Sequence, residues 1–177
     1  AAVNQKEKFF GSTALMRAAY NGHSDVVDAL LAAGADAKIT DKKKRTALHW
    51  AARCGWEGIM AKLVAKGADP QGVDSSKNGV AHYAFCSGRR APIDLLVALG
   101  VPLDRGNDWN TPPVFVGVMR GHTALVRALL VDRVLPASSV NDRDSDGFTL
   151  LLHVSKAKPP PIATSPASSR GRRRRMV

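Results

Sequence analysis

Four glycines, Gly22, Gly55, Gly88 and Gly121, stand 33 residues apart. No other feature limits the fold as much. A chain that repeats itself at a period of about 20 to 50 residues builds a stack of small units rather than one closed core. Apolar columns keep step with the glycines: Leu30, Leu63, Leu96 and Leu129; Leu31, Val64, Val97 and Leu130; Val27, Met60, Ile93 and Val126. Ahead of each glycine run Leu15, Leu48, Ala81 and Val114, then Ala18, Ala51, Ala84 and Gly117. So many columns in register over four periods make chance a poor explanation.

Each period reads as two short helices. Thr13 and Thr46 stand where a hydroxyl can cap the free N–H groups of a first turn. Small residues on the first helix let a second helix approach closely. The shared glycine breaks the pair. The second helix carries apolar residues at i, i+1, i+4 and i+5, one buried stripe. It ends at Gly34, Gly67 or Gly100, where glycine accepts a left-handed cap at little cost. A polar turn such as Ala68-Asp69-Pro70-Gln71-Gly72 then leads to the next unit. One unit cannot bury its apolar face alone, but stacked units can. The expected fold is an all-α solenoid of stacked helix-turn-helix units with β-hairpin-like connecting turns.

The segments TALMRAAYNGHSDVVDALLAAGADA (13–37) and TALHWAARCGWEGIMAKLVAKGADP (46–70) resemble ankyrin repeats. The family pattern they follow is T-P-L-H-x-A-A-x-x-G-H, then V-V-x-x-L-L-x-x-G-A-D. The resemblance spans about residues 7–157, as four repeats and a partial fifth, after an N-terminal extension of residues 1–6. Later units depart from the pattern. Repeat three has Gly79 in place of the capping Thr and Ala81 in place of Leu. Losing such a cap costs about 1 kcal/mol, so this repeat is expected to lean on its neighbours. Repeat four places Thr111 one residue early, adds Pro112 and Pro113, and has Arg133 where the closing glycine belongs. A fifth unit begins at DSDGFTLLLHVSKAK (144–158) and stops at Pro159-Pro160-Pro161, so it reads as a half-repeat cap or as an end that a partner covers.

The formal charge of +11 is unevenly spread. From Lys156 onward there are seven basic residues and no acid, which leaves the preceding chain mildly basic. The segment 158–177, rich in Pro, Ser and Arg, cannot bury enough apolar surface to fold alone. Arg170, Arg172, Arg173, Arg174 and Arg175 suit forked, salt-sensitive contacts with phosphate. No aromatic residue interleaves with them, so base stacking is not suggested. A nuclear-localisation patch, an anionic membrane surface and an acidic protein groove are the other readings.

No set of residues points to catalysis. G-x-S-x-G, the Walker-type glycine loop, H-E-x-x-H and C-x-x-C are all missing from the sequence. His49, His82 and His153 share a repeat position; the resemblance implies that they brace the cap and the neighbouring turn, and the repeat spacing sets them too far apart to share one metal. His23 and His122 follow the inter-helix glycines in the same structural spirit. Neither a cofactor nor a metal is implied. Cys54 and Cys86 fall inside expected helices and read as reduced core thiols, which suits an intracellular compartment. A cytoplasmic or nuclear location fits, as does an organelle interior after removal of a targeting segment. No stretch is long and apolar enough to cross a bilayer.

Binding is better supported. The resemblance implies a concave face built from the turn tips and the first helices. Arg17, Trp50 and Tyr83 recur every 33 residues and should form one ladder, with Tyr20 and Arg53 one turn further on. Trp, Tyr and Arg are the usual anchors of an interface. Against this, Trp50 and Tyr83 can simply fill space between repeats. Trp109 on the fourth turn is a further candidate. The second tip, Asp41 followed by Lys42, Lys43, Lys44 and Arg45, can meet an acidic partner or phosphate. Arg89 and Arg90 lie on another side of the stack.

Together these features suggest a non-catalytic adaptor or scaffold that holds a protein partner, as a monomeric subunit within a complex. The alternatives are an accessory subunit of a ribonucleoprotein or other large assembly, its tail on RNA or another polyanion, and an enzyme inhibitor of the short ankyrin type.

Overall fold

The computed structural model describes residues 2–135 and 149 of the chain. Among these residues eight α-helices follow one another in pairs: α1 (Ala14–Asn21) with α2 (Ser24–Ala32), α3 (Ala47–Cys54) with α4 (Glu57–Ala65), α5 (Val80–Ser87) with α6 (Ala91–Ala98), and α7 (Pro113–Met119) with α8 (Thr123–Val131). The first helices stack as α1–α3–α5–α7, and the second helices line up behind them. No strand occurs among the described residues. An antiparallel bridge, Val73 to Gly79, marks the tip of repeat three. The fold is the all-α repeat solenoid that the periodicity requires.

The core follows the columns. Leu63, Leu96, Leu129, Val27, Met60, Ile93 and Val126 are fully buried. Burying each such side chain is worth about 1.5–3 kcal/mol. The small residues Ala51 and Ala84 are equally buried, which lets neighbouring helices close on them. One pair of positions trades volume. Phe85 occupies a position held by Ala19 and Ala52 in the earlier repeats, and its Cδ1 lies only 3.0 Å from where a Cβ on Gly117 would stand. The missing side chain at 117 is thus the space that Phe85 fills.

The caps follow the same register with local variation. Thr13 accepts a hydrogen bond from the Met16 amide at 3.4 Å. In repeat two His49 reaches back, its Nδ1 accepting from the Thr46 amide at 3.2 Å. Gly79 lacks the hydroxyl, yet its amide still donates to His82 Nδ1 at 3.0 Å. The eroded third repeat therefore keeps half of its cap. In repeat four Pro112 stands at the cap and Pro113 opens the helix, where a missing N–H costs nothing. Arg133 adopts the left-handed φ of +55° that the glycines use elsewhere, a strain of roughly 1–2 kcal/mol for a residue with a Cβ. The N-terminal extension packs against the stack. Asn4 donates through Nδ2 to the Gly34 carbonyl and accepts from the Asp36 amide. Apart from Thr149, the fifth unit beginning at Asp144, with His153, and the arginine tail from Arg170 to Arg175 lie outside the described residues.

Candidate binding surface

The tips are built on a carboxylate or amide placed every 33 residues. Asp41 Oδ1 accepts from the amides of Lys43 and Arg45, at 2.8 and 2.9 Å. Asp74 Oδ1 accepts from Ser76 and Asn78 at the same two distances. Asn107 Oδ1 accepts from Trp109 and Thr111 at 3.0 and 3.1 Å. Short Asp and Asn side chains suit this bond because they mimic a backbone turn. The turn closes through a left-handed residue: Gly11, Lys44, Lys77 and Asn110, again 33 apart, have φ between 52° and 71°. Successive tips are tied by one backbone bond each. Lys42 donates to the Phe10 carbonyl, Ser75 to Lys43 and Asp108 to Ser76.

Histidines fasten tips to helices. His49 Nδ1 accepts a backbone N–H, so the proton sits on Nε2, which donates to the Gly72 carbonyl at 3.2 Å. His82 donates in the same way to the Thr111 carbonyl at 3.0 Å. Burial pushes the His49 pKa down to about 4, against the pull of the Asp74 charge. Burial likewise holds His82 below the ordinary imidazole value. Both rings are neutral braces at pH 7. Among the described residues no group of His, Cys, Asp or Glu could hold a metal ion. Burial raises the Cys54 and Cys86 thiols, so neither is an activated nucleophile.

The anticipated binding residues divide into two groups. Arg17, Tyr20, Trp50 and Arg53 line one groove of about 400 Å³, together with Phe10, Ser12, Met16, Lys43 and Arg45. Tyr20 meets Trp50 edge to face at 5.4 Å between centroids. The Arg45 guanidinium lies 4.0 Å from the Trp50 ring centre and that of Arg53 5.8 Å from it. Such cation–aromatic contacts fix the indole in place. Its Nε1 is buried with no hydrogen-bond partner.

Tyr83 is not in this groove. Its hydroxyl donates to Asp74 Oδ2 at 2.7 Å, and its ring stands edge-on to His49 at 5.3 Å. Burial and that bond together raise its pKa. Trp109 projects from the fourth tip, 57% exposed, and lines no part of the groove.

The basic tip also divides. The expectation that Arg45 projects with its neighbours needs correction. Its side chain is 11% exposed and forms an ion pair with Asp41 at 2.8 Å. A buried carboxylate and an aromatic face offer a guanidinium more than water does at this point. Lys42 Nζ donates to the Lys8 carbonyl, and Lys43 alone of the three lysines lines the groove. Lys44 holds the left-handed corner of the turn.

Trp56 and the spacing of the tip residues escaped sequence reasoning, whereas His122 was expected in a structural role. Trp56 takes the place after the inter-helix glycine. It lies where a Cβ on Gly22 would meet its ring at 2.5 Å, and its Nε1 donates to the Tyr20 carbonyl at 3.1 Å. His122 does the same against Gly88 and the Cys86 carbonyl. The 33-residue spacing of Asp41, Asp74 and Asn107 was visible in the sequence and is the signal that would have found the tips.

Comparison with known proteins bears on the same region. Residues 1–74 match the family model described as ankyrin repeats, three copies. Inversin from Mus musculus and from Homo sapiens are each 50% identical to the chain over 48 residues, 27% of this chain. The chain spans 4% of the length of these relatives. The register, the paired helices and the tips described above agree with this match: the chain contains ankyrin repeats, matched over residues 1–74. Ankyrin repeats generally mediate protein–protein interaction.

Proposed function

We propose that the chain is a non-catalytic adaptor or scaffold module whose partner sits in the groove between repeats one and two. The observation that carries this reading is the convergence of Arg17, Tyr20, Trp50 and Arg53 on one concave surface. These residue types anchor interfaces because they bring large contact area and fixed geometry at low entropic cost. Trp50 is already immobilised by its neighbours, so little ordering remains to oppose binding. A photo-crosslinking amino acid placed at Tyr20, which is 44% exposed, should trap partner proteins. The same group placed at the exposed Val131, at the end of α8, should not. Identical adducts from both positions, or none from Tyr20, would remove this surface from consideration.

A second reading rests on the sequence of the tail. Arg170 and Arg172 to Arg175 suit a polyanion, in the manner of an accessory subunit of a ribonucleoprotein. RNA affinity that falls steeply with salt, and that disappears when residues 159–177 are removed, is the expected result. Affinity untouched by the truncation would end that reading.

A further inference from the structure

We infer that the groove between repeats one and two is selective for an acidic peptide segment, one that places carboxylates around an apolar side chain. The inference rests on the partner-binding role proposed above and names the class of partner.

The charge balance of the groove carries the argument. Four of its nine lining residues are cations, Arg17, Lys43, Arg45 and Arg53, and none is an acid. Arg45 is neutralised by Asp41. Arg17, Lys43 and Arg53 have no carboxylate partner among the described residues, and the groove gathers all three around one apolar surface. Glu7, which lines the adjoining hollow with Phe10, Ser12 and Arg17, is committed to its own tip: its carboxylate accepts from the amides of Phe9, Phe10 and Ser12. The groove therefore concentrates positive charge that the fold itself leaves unbalanced. Guanidinium groups bind carboxylates through paired hydrogen bonds, which adds geometry to charge.

The apolar half of the lining decides between ligands. Phe10, Met16, Tyr20 and Trp50 make up the rest of the surface beside Ser12. Phe10 is 66% exposed, so part of this apolar area faces solvent. A polyphosphate backbone brings nothing to fill such a surface. A nucleic-acid base needs an open ring face to stack on, and Arg45 already lies over the ring of Trp50, which leaves only the rims at Phe10 and Tyr20. A peptide with an apolar residue between acids satisfies both halves at once. The volume, about 400 Å³, is in the range of sites that enclose a few side chains.

Fluorescence anisotropy with three labelled probes tests this: a short peptide with glutamates flanking a leucine, its glutamine counterpart, and a single-stranded oligonucleotide. The glutamate peptide should bind the full chain at least about tenfold more tightly than the glutamine peptide. The Arg17→Gln/Arg53→Gln variant should lose most of that preference, and circular dichroism should show its helicity intact. Equal affinity for the two peptides, or a preference unchanged in the double variant, would overturn the inference. So would an oligonucleotide that displaces the glutamate peptide in wild type and fails to bind the double variant. If neither peptide binds while Tyr20 still cross-links partners, the acidic class falls and the binding surface stands. If cross-linking fails as well, both fall.

Discussion

Repeats two and three share one frame and differ in what they do with it. In repeat two Asp41 grips Arg45, and Arg45 lies over Trp50. In repeat three the matching residues are Asp74, Asn78 and Tyr83, and Asp74 bonds both of the others. Asn78 in turn accepts from Asn107 of the next tip at 2.8 Å. The third repeat spends its polar groups internally and ties itself to the fourth. The second repeat spends Arg45 on holding a ring and leaves Arg17, Lys43 and Arg53 around it without partners. The lesson is that register sets where a side chain stands, and two substitutions per repeat decide whether that face is closed or open.

Four experiments can break or sharpen this contrast. The largest effect is expected from removing the carboxylate in the closed repeat. Asp74→Ala strands the Tyr83 hydroxyl and two tip amides, and should cost about 3 kcal/mol in urea unfolding. Asp41→Ala should cost less, since Arg45 can remain stacked on Trp50. Equal losses would mean that the two tips are energetically alike.

Acid comes next. The His49 pKa is depressed in the folded state, so the unfolded chain binds the extra proton first. Stability is then complete above the unfolded value near 6.5 and is lost as pH falls toward about 4. The depression sets a ceiling of about 3 kcal/mol on this loss. His82 contributes in the same direction. Burial by itself would raise the Asp74 carboxyl, but bonds from Tyr83, Asn78 and the Ser76 amide hold it below its ordinary value. Its share is therefore lost only at still lower pH. Thermal melts between neutral pH and pH 4.5 should show the drop, and His49→Leu should flatten it.

Tyr83→Phe removes one bond and keeps the ring. A loss of about 1 kcal/mol is expected, with no change at the groove. If the substitution weakens peptide binding as strongly as Trp50→Ala does, then Tyr83 belongs to the interface after all. The smallest effect concerns the turns. Lys44→Gly relieves a left-handed backbone but loosens the unfolded chain, for a net gain of less than about 1 kcal/mol. Lys77→Gly should gain less still, because it also breaks the Lys77–Asp108 ion pair at 2.9 Å. Differential scanning calorimetry of the two variants orders them.

Much of the candidate surface was legible beforehand. Residues 33 apart must stack, so Arg17 and Trp50 were bound to be neighbours. Tyr20 and Arg53 followed from one helical turn. Tyr83 was placed on the same ladder, but its withdrawal from the groove was not legible. It depends on Asp74, nine residues earlier, reaching its hydroxyl. Arg45 likewise read as part of an exposed charge run. A run of cations is usually solvated, and nothing local signals that the last of them folds back on a buried carboxylate.

The sequence by itself determined the period, the helix pairs, the glycine corners and the apolar columns. All of these are set by local spacing and by backbone freedom, which the chain carries in one dimension. Only the tertiary structure decided which cations are neutralised, which ring is held by its hydroxyl and which by an arginine, and where an open groove remains. Those outcomes depend on contacts between units, where a few ångströms settle whether a charge finds a partner inside the fold or is left to meet one from outside.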